Sequence, residues 1–436
     1  MSNSSHFFAR DEDGAVTIWA TSWTIVFLLI GGLSIDVGNA WKERSMLQST
    51  ADAAALAGAI ELGSVLDEAA RAEAIRIAEL NLNNDVLVGA DIISGKWDTA
   101  SRTLDTAALV HDAVQVVTRR DSGGGNQVPT FLLKLIGITY WNVSTAATAQ
   151  KFLPGCIKDG MVADNTVQIS SNNNFFDGYC IHGQNGVQVS SNNFYEGPSG
   201  GIPGVIVSMN DLADFGMPAS GFASSPGLQE ALRENWMRPK SVDHIGEILT
   251  ALLDVNSPRI PDFIDTTKPV IVKTRATFKP AAMLPGRIYS VNCSGSQQIN
   301  FPANSLVRDS ILVTSCRIST ASGVRFESSI IATSNSASNS ISSAQGAILG
   351  KDDNCAKGGG SLFLTAGGVD YAAHLEVYGS QVIAAGDIKI VAESQGIEGA
   401  SFQSGNDIKL TSNGSFGNCN SNVDEIVYED YFRLVN

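Results

Sequence analysis

The sequence lacks short motifs that carry nucleotide and metalloprotease chemistry. It contains no Walker phosphate-binding loop, no Gly-x-Gly-x-x-Gly pattern and no His-Glu-x-x-His. None of its six cysteines belongs to a Cys-x-x-Cys pair, which argues against a zinc ribbon or a thioredoxin-type site. We therefore assign no catalytic residue, no cofactor and no metal from motifs.

Charge is also scarce, and most of it is negative. Charged residues make up 17% of the chain, and 29 basic residues stand against 44 acidic ones, for a formal charge of -15. Such a balance repels polyanions, so we expect no nucleic-acid partner. The 42 glycines, together with many serines and asparagines, are typical of an exported protein rich in β-structure and turns.

One stretch near the N-terminus, residues 14–35, carries no charge at all. About 20 apolar residues are enough for a helix to cross a bilayer, so we predict a transmembrane helix over residues 14–35, preceded by a tail over residues 1–13. Three alternatives are a cleaved signal peptide, a buried core helix, and a pilin-type leader cut after Gly14. The first fits poorly, because a signal peptide has a basic n-region and a shorter apolar core.

Small residues recur just after this stretch. Ala51, Ala54, Ala55 and Gly58 follow one another at three- and four-residue steps, which places them on one face of a helix predicted over residues 40–62. Small side chains let a second helix approach closely, so we predict packing against a partner; the helix propensity of alanine is the simpler explanation. A second helical pattern covers 66–82, and the helical extension as a whole covers 36–84.

Three short segments surround and follow the span. Asp13, Gly14, Ala15 and Val16 open it, Asp36, Val37, Gly38 and Asn39 close it, and residues 47–59, which include Asp52, lie beyond. Together they resemble the TadE/TadG-like group of Tad (tight adherence, Flp pilus) assembly proteins. The resemblance covers residues 8–62.

The resemblance implies a single-pass inner-membrane protein with a cytoplasmic N-terminus and a periplasmic C-terminal domain. It also implies a non-enzymatic envelope scaffold or assembly subunit, whose partners are the membrane and other pilus-assembly or pseudopilin subunits. Two departures limit it. Prepilin-like members have a glutamate where this chain has Trp19, and the Asp-x-Ser-x-Ser cluster of longer members is absent.

All six cysteines lie downstream of the predicted span. An even number of cysteines suits disulfides in an oxidising compartment, and reduced thiols in a cytoplasmic domain are the alternative. Spacing alone does not reveal the pairing. The candidate disulfide residues are Cys156, Cys180, Cys293, Cys316, Cys355 and Cys419.

Residues 85–153 are predicted to form a small α+β module. Apolar and polar residues alternate over 92–97, 113–118 and 139–148, as they do in half-buried strands. Residues 129–138 are interpreted as a short amphipathic helix.

The rest of the chain, residues 154–436, contains internal repeats. Val167 to Asn173 reappears as Val187 to Asn193, and Asp387 to Ile390 reappears as Asp407 to Leu410, each twenty residues later; residues 310–313 and 329–332 form a third pair. A period near twenty indicates a solenoid, and an ordinary β-sandwich is the alternative. Eight inward residues are predicted, with αL corners at Asn172, Asn192 and Asn406. The inward residues are Val167, Ile169, Val187, Val189, Ile388, Ile390, Ile408 and Leu410.

The predicted fold class is thus mainly β with an N-terminal transmembrane helix. The small α+β module is followed by a right-handed parallel β-helix (solenoid). Helical spacing within residues 210–280 predicts a helical insertion that covers one side or end of it.

A second function from a different class is a membrane-tethered β-helix that binds or cleaves envelope glycans, such as a polysaccharide lyase or hydrolase. Acids on adjacent coils act on sugars in such enzymes, and aromatic side chains stack on them. The candidates are Lys351, Asp352, Asp353, Asp370 and His182 for chemistry, and Phe175, Phe176, Phe194 and Tyr195 for stacking. Solvated surface charges and core aromatics are the simpler explanations.

Overall fold

The structure is a computed structural model that describes residues 13–63, 65–66, 68–82, 85–217, 220–354, 356–391, 393–394, 396–419, 427 and 429–435. The predicted tail up to residue 12 and Cys355 lie outside the described residues. Two compact units divide the chain, one formed by residues 1–152 with 430–436 and the other by residues 153–429. The described part is mainly β, with an N-terminal apolar helix and parallel sheets.

The first unit begins with one long helix, α1 (Asp13–Ile60). Its apolar N-terminal half is exposed, whereas Leu47, Ala51 and Ala55 in its second half are fully buried. Of the described helices, α1 is the one that is long and apolar enough to cross a membrane, over residues 16–60. The second helix, α2 (Glu68–Asn81), buries Ala70, Ala74 and Ala78.

Antiparallel pairing builds the sheet of the first unit. Its order is β2, β1, β3, β6 and then the C-terminal strand Tyr431–Leu434. A separate two-stranded hairpin joins β4 to β5. The strands are β1 (Ile92–Asp98), β2 (Thr103–Asp105), β3 (Ala113–Arg120), β4 (Val128–Pro129), β5 (Tyr140–Trp141) and β6 (Val143–Phe152).

The loop of this hairpin differs from the sequence prediction. Residues 129–138 do not form one amphipathic helix, because Pro129 ends strand β4 and only Leu133–Ile136 makes a short 3₁₀ turn. Gly137 closes the turn with a φ of 90°, a conformation that favours glycine. We call residues 131–138 the hairpin tip.

The described residues of the second unit form short strands, 3₁₀ turns and three short α-helices, α3 (Gly155–Lys158), α4 (Leu228–Ala231) and α5 (Ile245–Ala251). Most strands belong to a seventeen-stranded or an eight-stranded sheet, in which every pairing is parallel. The strands are β7 (Gly160–Ala163), β8 (Val167–Ile169), β9 (Asn174–Phe175), β10 (Cys180–Gly183), β11 (Val187–Val189), β12 (Phe194–Tyr195), β13 (Ile206–Met209), β14 (Leu232–Glu234), β15 (Ile271–Thr274), β16 (Arg287–Asn292), β17 (Gln298–Phe301), β18 (Leu306–Thr314), β19 (Arg317–Thr320), β20 (Arg325–Thr333), β21 (Ile341–Ser343), β22 (Ile348–Leu349), β23 (Leu362–Thr365), β24 (Val369–Tyr371), β25 (Glu376–Tyr378), β26 (Gln381–Ala384), β27 (Ile388–Ile390), β28 (Ile397–Glu398), β29 (Ser401–Ser404), β30 (Ile408–Leu410) and β31 (Ser415–Gly417).

The register of these sheets follows the sequence repeats. Val187 pairs with Val167, Ile408 with Ile388, and Ser329 with Ser310, as the twenty- and nineteen-residue spacings require. One pairing does not follow from the repeat spacing: Ile408 also pairs with Val167, which lies at the other end of the unit. Strand β7 has the same arrangement. It is the first strand of the unit, and it pairs with β10 on one side and with β29, from the far end of the unit, on the other.

The residues predicted to point inward are buried, with at most 6% exposure. Phe175 stacks between Tyr195 and Phe416 at 5.2 Å on each side, so aromatic rings continue the same core. Asn172 and Asn192 adopt the predicted positive φ of 63°. Asn406 does not; Asn413, with a φ of 66°, occupies the corresponding corner.

The segment 210–280 packs on outward-facing side chains of the seventeen-stranded sheet. Ile245, Ile248 and Leu252 bury apolar residues of β18, β20, β23 and β26. This is why parts of these strands are buried on both faces and are apolar without alternation, namely residues 311–313, 330–332, 362–364 and 382–384.

Candidate functional site

The small-residue stripe of α1 packs within its own chain. Ala51, Ala54 and Ala55 are fully buried against α2 and the sheet, in one cluster with Ala74 and Val114. A Cβ added at Gly58 would lie 3.2 Å from Val114 Cγ1 and 3.4 Å from Ala74 Cβ. Within this chain, the stripe therefore packs against a second helix, α2, and against the sheet.

A buried carboxylate lies where the apolar part of α1 ends. Asp36 is 3% exposed. Its Oδ1 accepts the Phe131 backbone N–H at 2.5 Å, and its Oδ2 accepts those of Leu132 at 3.0 Å and Leu133 at 2.7 Å. Hydrogen bonds to an ionised acceptor are among the stronger ones, so this carboxylate fixes the hairpin tip against the helix.

The other residues of the family-like motif have separate surroundings. Val37 is half-buried and Gly38 is exposed, with open space where a Cβ would be. Asp52 is half-buried, and its Oδ1 accepts a hydrogen bond from Gln48 Nε2 at 2.8 Å. Gly14 lies in the first turn of α1. Of these motif residues, Asp36 is the one whose side chain forms hydrogen bonds to another element among the described contacts.

Sequence reasoning missed the hairpin tip. Five of its apolar side chains are exposed: Phe131, Leu132, Leu135, Ile136 and Ile138. Leu132, Leu135 and Ile136 line an apolar groove together with Ile25, Leu28 and Leu29 of α1. An apolar cluster flanked by Pro129 and Gly137 marks the tip in the sequence, but the same pattern also fits an amphipathic helix.

Disulfides join neighbouring segments of the second unit. Cys156 is bonded to Cys180 and Cys293 to Cys316, with Cα atoms 4.9 and 5.0 Å apart. Cys419 is also disulfide-bonded. No free cysteine remains among the described residues.

His182, a candidate for acid–base chemistry, is fully buried. Its Nδ1 lies 2.9 Å from Ser208 Oγ and its Nε2 lies 3.2 Å from Gln184 Oε1. Burial lowers the pKa of His182, against the opposing effect of the Gln184 hydrogen bond, so the ring stays neutral at pH 7. The residue forms part of an internal polar cluster and does not reach the surface.

The candidate acids lie on different sheets. Lys351 and Asp353 follow β22 and line a small pocket with Tyr378 and Glu398. Asp370 lies on β24 in the eight-stranded sheet, opposite Lys389. The pKa of Tyr378, which lines the same pocket, is raised. Burial is the largest cause, and the nearby carboxylates of Glu376 and Asp352 add to it.

Two of the four candidate stacking aromatics are unavailable to a ligand. Phe175 and Tyr195 are buried at 0% and 1% exposure, in the core stack described above. Phe194 is exposed, and its ring centroid lies 5.7 Å from that of Phe176. Among the residues that the structure describes, no group of three His, Cys, Asp or Glu is placed to hold a metal ion.

Two family models match the chain. Residues 14–74 match the model for putative Flp pilus-assembly TadE/G-like proteins, which confirms the resemblance of the N-terminal region and gives the protein a membrane-associated pilus-assembly context. Residues 160–420, more than half of the chain, match the model described as domain of unknown function DUF7867, and the chain belongs to that family. No curated protein matches the chain.

Proposed function

We propose that the protein is a single-pass, membrane-anchored subunit of Tad/Flp pilus assembly that acts without catalysis, as an envelope scaffold. One observation carries the proposal: the TadE/G-like match coincides with α1, whose apolar half is exposed and whose second half is buried in the first unit. The helix joins the candidate span to the folded first unit without a break.

The second unit is, in this proposal, a right-handed parallel β-helix. The equivalent strands of successive repeats pair in parallel, and buried residues stack on buried residues one repeat away. Such a stack offers extended surfaces for protein contacts.

The anchor lies in the inner membrane, with residues 1–13 in the cytoplasm and the second unit in the periplasm. Two disulfides downstream of the span support this orientation, because disulfides persist in oxidising compartments.

Fusions of alkaline phosphatase and of green fluorescent protein after Asn436 test the orientation, and matched fusions after Asp13 provide the control. We expect phosphatase activity at the first position and fluorescence at the second. Cysteines should react with an impermeant maleimide only after reduction. A fluorescent fusion after Asn436 would contradict both the orientation and the assembly role.

The assembly role is tested separately, in cells that make Flp pili. Deletion of the gene should remove pili from the cell surface, and the full-length chain should restore them. Normal piliation of the deletion strain would rule the proposal out.

A glycan-binding role is the second candidate, and one observation favours it. A row of outward polar side chains crosses adjacent strands of the eight-stranded sheet, each strand about 4.8 Å from the next. The row consists of Gln188, Gln168, Lys409, Lys389 and Asp370. Retention of the purified chain on immobilised peptidoglycan, lost in a Gln168→Ala/Gln188→Ala variant, would support it; no retention would exclude it.

A further inference from the structure

The hairpin tip presents an apolar surface that its own unit does not cover. Leu135 is 79% exposed and Ile136 is 58% exposed. The tip extends from a hairpin of only two residue pairs, with Pro129 opposite Tyr140. An exposed apolar cluster of this kind marks a contact with a partner or a membrane.

The tip is held against the apolar half of α1. Asp36 binds three of its backbone N–H groups. Leu132 lies over Gly32, where an added Cβ would come within 2.8 Å of Leu132 Cβ. The groove between the two elements reaches along α1 as far as Ile25.

This groove extends well into the span. Ile25 precedes Asp36 by eleven positions, and at a rise of about 1.5 Å per residue this is roughly 16 Å along the helix. A bilayer has a hydrocarbon core of about 30 Å. If α1 spans the membrane, the tip is at the depth of one leaflet.

The backbone of the tip is suited to a medium without water. Asp36 satisfies its first N–H groups, and within the tip Leu135 N–H donates to Leu132 O, Gly137 N–H to Lys134 O, and Ile138 N–H to Leu133 O, at 3.1 to 3.2 Å. Non-helical backbone is tolerated at membrane depth only when its polar groups find such partners.

We propose that the hairpin tip inserts into the lipid leaflet at the C-terminal end of the span, as a second membrane contact beside α1. The inference rests on the proposed membrane anchoring. The occupant is lipid hydrocarbon, because the other wall of the groove consists of Ile25, Leu28 and Leu29, side chains that an anchor exposes to acyl chains. Lys134, the one charged residue of the tip, is exposed and has a stem long enough to reach the headgroups.

The test uses the full chain in nanodiscs of phosphatidylethanolamine and phosphatidylglycerol. A ketone-bearing amino acid replaces one residue at a time and carries a nitroxide, so the cysteines stay untouched. The positions are Leu135 in the tip, Leu28 in the span, and Leu109, which is 92% exposed elsewhere in the first unit. Collisions with oxygen report lipid, and collisions with a water-soluble nickel complex report solvent.

We expect Leu135 to resemble Leu28, with oxygen collisions in excess, and Leu109 to show the reverse. Nickel access at Leu135 with Leu28 still in lipid would overturn the inference and leave the anchor intact. Protection of Leu135 from both reagents would also overturn it, since a protein would then cover the tip. Nickel access at Leu28 would overturn the anchor itself.

Discussion

The two units are stabilised by contacts of different kinds. In the first unit, helices pack through alanines and the sheet is antiparallel, so each element is fixed by a few specific neighbours. In the second unit, strands pair in parallel across the repeats, and Ile408 is covered by Ile388 on one side and Val167 on the other. The first unit therefore depends on particular small residues, whereas the second depends on an unbroken stack.

The largest effect is expected at β30, which pairs with β27 on one side and with β8 on the other. Ile408→Ala should lower the free energy of unfolding of the second unit by about 2–5 kcal/mol, because a fully buried side chain between two strands leaves a cavity. Urea-dependent protease resistance of this unit measures the change. Leu284→Ala, at a 58% exposed position of the same unit, is the matched control, with less than about 0.5 kcal/mol expected. Equal effects at the two sites would contradict the burial of Ile408 between β27 and β8.

Each unit also buries a carboxylate, but only one of the two is well satisfied. Asp36 accepts three N–H groups. Asp159 accepts one, from Cys419 N–H at 2.8 Å, and its Oδ1 has no hydrogen-bond partner. Burial raises the pKa of Asp159 to about 7, against the opposing effects of the Cys419 N–H and Lys158. The two carboxylates should therefore respond differently when each is replaced by asparagine.

Asp159→Asn should change how stability depends on pH. The folded-state pKa of about 7 lies above the reference value of 3.8, so the contribution of Asp159 is fully present below pH about 4 and is lost as pH rises to 7. Asparagine should abolish this loss and stabilise the second unit above pH 7, by on the order of a few kcal/mol. Urea unfolding across this pH range measures it.

The control for this prediction is Glu247→Gln, whose side chain is 83% exposed and which should keep the wild-type slope. An Asp159→Asn variant that still loses stability between pH 4 and 7 would show that another group titrates.

Asp36→Asn should loosen the hairpin tip without unfolding the first unit. Loss of the charge weakens three charge-assisted hydrogen bonds, at a cost of about 1–3 kcal/mol. Hydrogen exchange at the amides of Phe131, Leu132 and Leu133 should accelerate. Asp52→Asn, on the same helix but with a hydrogen bond to Gln48 instead of the tip, should leave these amides protected. Unchanged exchange in Asp36→Asn would mean that packing alone holds the tip.

The repeats made much of the second unit predictable. A parallel register follows directly from similar residues one period apart, so the inward side chains and the pairing of β11 with β8 could be read from spacing. The contact between β30 and β8 could not, because a repeat unit carries no information about which other repeat covers its free side. The burial of the outer sheet face under α5 could not be predicted for a similar reason, because α5 lies far from these strands in the sequence.

In the first unit, residue pattern located the helices but not their partners. The stripe at Ala51 and Ala55 predicts close packing, yet a small face fits another helix, a sheet or a second subunit equally well. Asp36 was recognised through its family-like motif, whereas its three N–H donors lie about a hundred positions away. Spacing within a helix cannot encode such a contact.

The smallest change in stability is expected from replacing two glycines of α1 by alanine. Glycine to alanine in a helix interior gains about 1 kcal/mol when the new methyl group has room. Gly38→Ala should realise this gain, because nothing lies within 4 Å of the added Cβ. Gly58→Ala should not, since its Cβ would press on Val114 and Ala74. Thermal unfolding of the first unit compares the two variants, and an equal gain at both positions would mean that the alanine stripe packs more loosely than its burial indicates.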